Sequence, residues 1–416
     1  AVLPSGCAAL LLCAGLSGCR SVPASRPSAS PDPAAHLLGL TAEQRMEDYE
    51  YLWSTLRDSY PCWGILDREG VDVEGIYTSY RDMVAESDSD QTFYQAVYST
   101  LFLLGNNGHL SIVEPADYFS LLPSVRLYRR SGQTAWADIL ERKETREKYR
   151  SLLALDRAIN SSSEEEEPAL ETPAPAAGGV IPLLLPESGV GYVKIDSFPA
   201  EYEADRAILS DFYRQCGDCT DLIFDLTDNS GGSEAYWEEL LVAPHIDEPL
   251  SSEHLALVRH SRNNAPYLDQ VFPAECLLPL NQLPSLPHLE PGDLDLATHF
   301  VRVCPRVEPA DQPSPFRGRI WVLVDESVYS ASESFALFCQ QTGFATLVGS
   351  ATSGDGIGTD PVFLQLPNSG ILVQYTPVFG LNPDGSSNEE LGTLPDLLSP
   401  PGEPPLITAL RAISQA

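Results

Sequence analysis

The stretch WVLVDESVYSASESFALFCQQTGFATLVG (321–349) runs from an apolar strand through a serine into an amphipathic helix and out into a second apolar strand. Its strands, 319–325 and 345–349, are short and almost uniformly apolar, the pattern of sheet strands covered on both faces. Ser330 stands at the head of the helix expected over 331–342. There its hydroxyl is exposed, it lies at the positive end of the helix dipole, and the neighbouring backbone N–H is free to receive a developing oxyanion. Ser330 is therefore a candidate nucleophile, although a plain helix cap has the same local sequence.

Working outward, strands and helices alternate: strand 191–198, helix 203–215, strand 221–226, helix 233–242. This order predicts an α/β layered domain over 191–400. The string DLIFDLTDNSGGS (221–233) ends its strand in Gly231 and Gly232, and paired glycines let backbone N–H groups approach a ligand closely. The proline-rich segment 243–318 reads as an irregular insertion. Upstream, 41–112 reads as a helical N-terminal domain. Thr41 with Gln44 makes a capping box, Met46, Tyr49, Leu52, Trp53, Leu56 and Tyr60 follow helical spacing to Pro61, and a second helix near 91–104 closes at Gly105. That helix delivers Gly108 and His109. Over 113–190 a charged helix (141–158) and an acidic linker (161–179) are expected, without a recognisable carboxylate-binding loop of the PDZ kind; 401–416 reads as a C-terminal tail.

Six strings, NNGHLSI (106–112), GYVKIDSF (191–198), LIFDLTDNSGG (222–232), SASE (330–333), LVGSATSG (347–354) and ELGTLPDL (390–397), occur in the order seen in the C-terminal processing peptidases. The chain resembles that family over roughly 41–400, and with it the tricorn protease core and the modules of interphotoreceptor retinoid-binding protein. The resemblance implies a crotonase-like ββα spiral and a serine endopeptidase acting on protein or peptide substrates without a cofactor. It also implies Ser330 as nucleophile, with oxyanion donors from the backbone of Gly231 or Gly232 and of Ala331. Where the processing peptidases carry a catalytic lysine this chain has Asp355, in TSGDG. Its three lysines, Lys143, Lys148 and Lys194, all precede the serine, and Lys194 is expected to point to solvent. A serine needs a base. The tricorn-like branch uses histidine, which maps onto His109, with Glu389 orienting the imidazole, or Glu390 if the register slips by one. That branch has a serine where this chain has Gly108. Two other functions fit the same fold: an inert module binding peptide or an apolar ligand, and an esterase.

Residues 6–18 form an apolar stretch too short to span a bilayer, and Leu16-Ser17-Gly18-Cys19 resembles a bacterial lipobox. The resemblance implies a signal peptide over 1–18, lipidation at Cys19 and attachment to the outer face of the cell membrane through a Pro/Ser-rich tether, 19–40. A net charge of −34 argues against nucleic acid as a partner, because phosphate contacts need a basic surface. No HExxH string occurs and a single CxxC is a weak zinc signal, so no metal is expected. Cys216 with Cys219, or Cys276 with Cys304, are plausible disulfide pairs in an exported chain. The sequence leaves the oligomeric state open.

Overall fold

Thr41 opens the first helix, Ala42–Ser59, with a complete capping box: its side chain receives the Gln44 N–H while the Gln44 side chain receives its own. Tyr60 is extended, as a residue before proline must be, and the helix ends there. Its inward stripe of Tyr49, Leu52, Trp53 and Leu56 packs with Phe93, Val97, Leu101 and Leu104 of the helix Asp90–Leu104, which stops at Gly105 with φ 82°. This computed structural model describes residues 38–161, 179–185 and 188–415. The expected signal peptide, Cys19 and most of the tether and acidic linker lie outside the described residues.

The expected boundary after 112 does not separate two cores. Ser111–Ile112 pairs antiparallel with Leu372–Tyr375, which pairs in turn with Val362–Gln365. Residues 113–161 continue as helices, including Thr134–Glu141 and Lys143–Ser161. Tyr149 locks the last of these to the small sheet, giving its hydroxyl proton to Val113 C=O at 3.0 Å and receiving Leu372 N–H at 3.0 Å. The helical region and the C-terminal strands thus share one apolar core.

The second core surrounds a six-stranded sheet in the order Leu397–Leu398, Thr346–Gly349, Arg319–Val324, Asp221–Asp225, Val190–Ile195, Val180–Leu185. Every pairing is parallel except the last, a hairpin. Period-two alternation sorts its side chains. Leu222, Phe224, Val322 and Val324 face the helices Glu203–Gln215 and Ala331–Thr342, while Ile223, Trp321 and Leu323 face the other way. That second face is covered by Leu406, Ala409, Leu410 and Ile413 of the helix Pro405–Gln415, so the expected tail is an integral layer. The expectation for 243–318 also changes. His254–Val258 pairs on one side with Val378–Leu381 and on the other with His299–Val303, which pairs in turn with Leu278–Pro279, in a four-stranded antiparallel sheet. The architecture is mixed α/β, a helical N-terminal region joined to a sheet-rich domain.

All six cysteines of the described residues are free thiols. Among the described residues no helix is long and apolar enough to cross a membrane.

Candidate active site

The central strand Arg319–Val324 ends against a turn in which Ser330 has φ 58° and ψ −124°, and the helix Ala331–Thr342 starts at the next residue. Positive φ is costly for a residue with a Cβ and persists only where the surroundings impose it. Here they do. Ser330 N–H donates to Gly354 C=O at 3.0 Å, and the Ser332 hydroxyl receives Tyr329 N–H at 3.1 Å and lies 2.7 Å from Asn229 C=O. The turn therefore aims the serine away from the helix it precedes; no capping bond from its side chain is formed.

His109 arrives from the other core. Gly108 and His109 both have positive φ, 58° and 57°. A Cβ on Gly108 would sit 3.2 Å from Cys62 Sγ, so the serine of the tricorn-like pattern would be crowded here. The result is a meeting of Ser330 Oγ and His109 Nε2 at 3.1 Å, across 221 residues of chain. With the ring proton on Nδ1, Nε2 accepts the serine proton, the geometry general-base catalysis requires.

The expected role of Glu389 differs from what is found. Its Oε1 receives Gly108 N–H at 2.7 Å and lies 3.3 Å from the Tyr329 hydroxyl, with no described contact to the imidazole. Its Oε2 is buried without a hydrogen-bond partner among the described residues. The physical reason is reach: the short helix Asn388–Leu391 sets Glu389 behind the Gly108–His109 turn rather than beside the ring. Glu390 points elsewhere, to Arg68 at 2.6 Å. The carboxylate facing the imidazole is Asp355, whose Oδ2 lies 3.3 Å from His109 Nε2 and receives the Thr376 hydroxyl at 2.8 Å. Burial raises the Asp355 carboxyl, opposed by His109, Thr376 and Tyr329. Burial, then the nearby Asp355 charge, pushes Glu389 well above the carboxylate range. Tyr329 is also raised, first by burial, and so keeps its proton and donates.

Of the three expected oxyanion donors, Gly231 is already engaged: its N–H donates to Asn229 Oδ1 at 2.8 Å. Its glycine is needed for close approach, since a Cβ would lie 2.7 Å from Tyr329 C=O and 2.9 Å from Ala331 N. No described hydrogen bond uses the N–H of Gly232 or of Ala331, leaving both amides available on the serine turn and the strand end beside it. Gly232 has φ 133°, and a Cβ there would stand 2.0 Å from Phe198 C=O, whose backbone pairs with this segment. We expect Gly232→Ala to cost about 2–3 kcal/mol or more in a denaturant unfolding curve. An unchanged midpoint would refute that account of the turn.

Lys194 does not point to solvent. Its ammonium donates to Thr227 C=O and, at 2.7 Å, to the Thr227 hydroxyl, and lies 3.5 Å from Asp225. It braces the strand end before the Asn229–Gly232 turn. Sequence reasoning also missed Glu333. It is fully buried on the serine helix and receives Asn388 Nδ2 at 2.8 Å and the Thr393 hydroxyl at 2.7 Å, so it ties that helix to the segment carrying Glu389.

The profile of peptidase family S41 matches residues 189–399, just over half of the chain, a stretch that holds the serine turn and both carboxylates and begins after His109. Among solved structures the chain is similar to a protein from Parabacteroides merdae ATCC 43184, described provisionally as a peptidase. The two share 17% identity and a TM-score of 0.54, with 89% of this chain and 96% of that one covered. It is also similar to mature CPAF in complex with lactacystin, at 14% identity and a TM-score of 0.50, with 86% and 93% covered. At these identities the likeness concerns the fold. No curated protein matches. By the profile match, the chain belongs to peptidase family S41 and is a serine-type peptidase.

Proposed function

We propose that this peptidase cleaves peptide bonds with Ser330 as nucleophile and His109 as base, in the manner of the histidine-using branch rather than the serine–lysine branch. The observation that carries the reading is the 3.1 Å approach of Ser330 Oγ to His109 Nε2. Ser330 Oγ attacks the substrate carbonyl carbon as its proton passes to Nε2. The carbonyl oxygen becomes an anion received by Gly232 N–H and Ala331 N–H. The imidazolium then gives that proton to the leaving amine, the C–N bond breaks, and an acyl-enzyme remains. Water, deprotonated by the same nitrogen, attacks the acyl carbon; the ester C–O bond breaks, the imidazolium returns the proton to the departing Ser330 Oγ, and the new carboxyl terminus leaves. The Asp355 carboxylate, at 3.3 Å from Nε2, faces the positive charge while it lasts. The crotonase-like spiral belongs to the same reading, supported by the order of the six sequence strings.

The test is fluorophosphonate labelling of the folded chain with mass spectrometry of the modified peptide. Label on Ser330 is expected; a folded protein that takes no label, or takes it elsewhere, sinks the proposal.

Membrane attachment through Cys19 rests on the Leu16–Cys19 string. In bacteria fed a clickable palmitate analogue the chain should become labelled and partition into detergent, and Cys19→Ala should abolish both. Labelling that survives the substitution would dismiss the anchor.

A further inference from the structure

The site holds two buried carboxyl groups joined by one tyrosine hydroxyl, and they face different things. Tyr329 Oη lies 3.3 Å from Asp355 Oδ2 and 3.3 Å from Glu389 Oε1, and it receives His109 N–H at 3.3 Å. A single hydroxyl proton serves only one of these acceptors. Asp355 has a basic ring at 3.3 Å and a second donor in Thr376. Among the described residues no basic group acts on Glu389. One of its oxygens holds Gly108 N–H and the other has no partner among the described residues. An orphaned oxygen is tolerable on a neutral acid and costly on a buried anion. Two carboxyl groups this close do not both ionise readily, and the cationic ring form selects which one does.

Resting on the Ser330–His109 reading, we infer that Glu389 works as a neutral carboxylic acid, a positioning residue that holds the Gly108–His109 turn, while Asp355 is the anion that steadies the protonated imidazole. Tyr329 then gives its proton to Asp355 and takes the His109 amide, which fixes the ring that stands 4.9 Å from its own. The other described groups facing Glu389 add no cation. Tyr60 and Cys62, from the turn after the first helix, have protons held by burial. Glu333, from the serine helix, is itself a buried acid raised by desolvation. The guanidinium of Arg68, which binds the adjacent Glu390, is committed to that residue and Asp293.

In this arrangement the Asp355 contact gains strength only when Nε2 carries a proton. With Nε2 bare and accepting from Ser330, two acceptors face each other. Once the serine proton has moved, an anion faces an N–H. An interaction stronger in the transition state than before it is the kind that accelerates a reaction.

The direct test needs no substrate. Infrared difference spectra of the full chain at pH 7 should show a protonated carboxylic-acid carbonyl band that is lost in Glu389→Gln and kept in Asp355→Asn. No band lost on Glu389→Gln overturns the inference. The second readout is the fluorophosphonate labelling rate across pH. Glutamine mimics a neutral carboxyl group, so Glu389→Gln should slow labelling by no more than about fivefold, whereas Asp355→Asn should slow it by on the order of 10²-fold or more. Equal losses would make Glu389 an anionic orienter and overturn the division of roles. Wild-type protein that takes no label at Ser330 would refute the serine–histidine reading instead, and the infrared band would still decide the state of Glu389.

Discussion

Ser330→Ala should abolish covalent labelling and lower peptide turnover by on the order of 10⁴–10⁶-fold while leaving the unfolding midpoint nearly unchanged. The separation of the two effects follows from what the hydroxyl touches. Its described hydrogen bond is to His109 Nε2, and it does not cap its helix. The strained turn is held instead by the Ser330 backbone N–H on Gly354 and by Ser332 on Asn229, both of which the variant keeps. Alanine at φ 58° is as strained as serine, so neither gain nor loss of backbone strain is expected. A variant that still labels at the same rate would remove Ser330 from the mechanism. One that unfolds would show the hydroxyl to be structural.

His109→Gln should slow both labelling and turnover by on the order of 10³–10⁵-fold, with any residual label still on residue 330. Glutamine can reach toward Ser330 but cannot take up its proton at neutral pH. The fold should tolerate the change, because the segment is anchored through its backbone. Gly108 N–H is held by Glu389, His109 N–H by Tyr329, and Gly108 C=O receives Thr376 N–H at 2.6 Å. Circular dichroism and the unfolding midpoint are the controls. Turnover close to wild type would dismiss histidine as the base and send the search to another proton acceptor.

The strand–serine–helix junction was legible because each part has a local signal: a run of apolar residues, a serine, then helical spacing. The helices Ala42–Ser59 and Asp90–Leu104 were legible for the same reason, through the capping box at Thr41 and the stop at Gly105. What escaped is non-local. His254–Val258 is five residues among prolines, and its partner Val378–Leu381 lies more than a hundred residues on, so nothing nearby marks it as a sheet strand. The covering role of Pro405–Gln415 depends on a sheet face that only the assembled strands create. Within the site, Asp355 was visible only as the residue standing in place of a lysine. Its approach to His109 depends on the loop that also receives Ser330 N–H through Gly354, a contact with no sequence pattern. A glycine at 231 permits close approach and so suggests an oxyanion donor from sequence; the structure uses that freedom for packing and commits its N–H to Asn229.

The contacts that build the site join residues far apart along the chain, 221 positions between the serine and its histidine and 281 between Gly108 and Glu389. A chain leaving the ribosome therefore carries both reactive side chains before it carries the loop and short helix, around 354 and 389, that hold them in place. Until those segments emerge and dock, the serine is an ordinary alcohol. On the proposed mechanism, cleavage therefore waits for these late segments to dock.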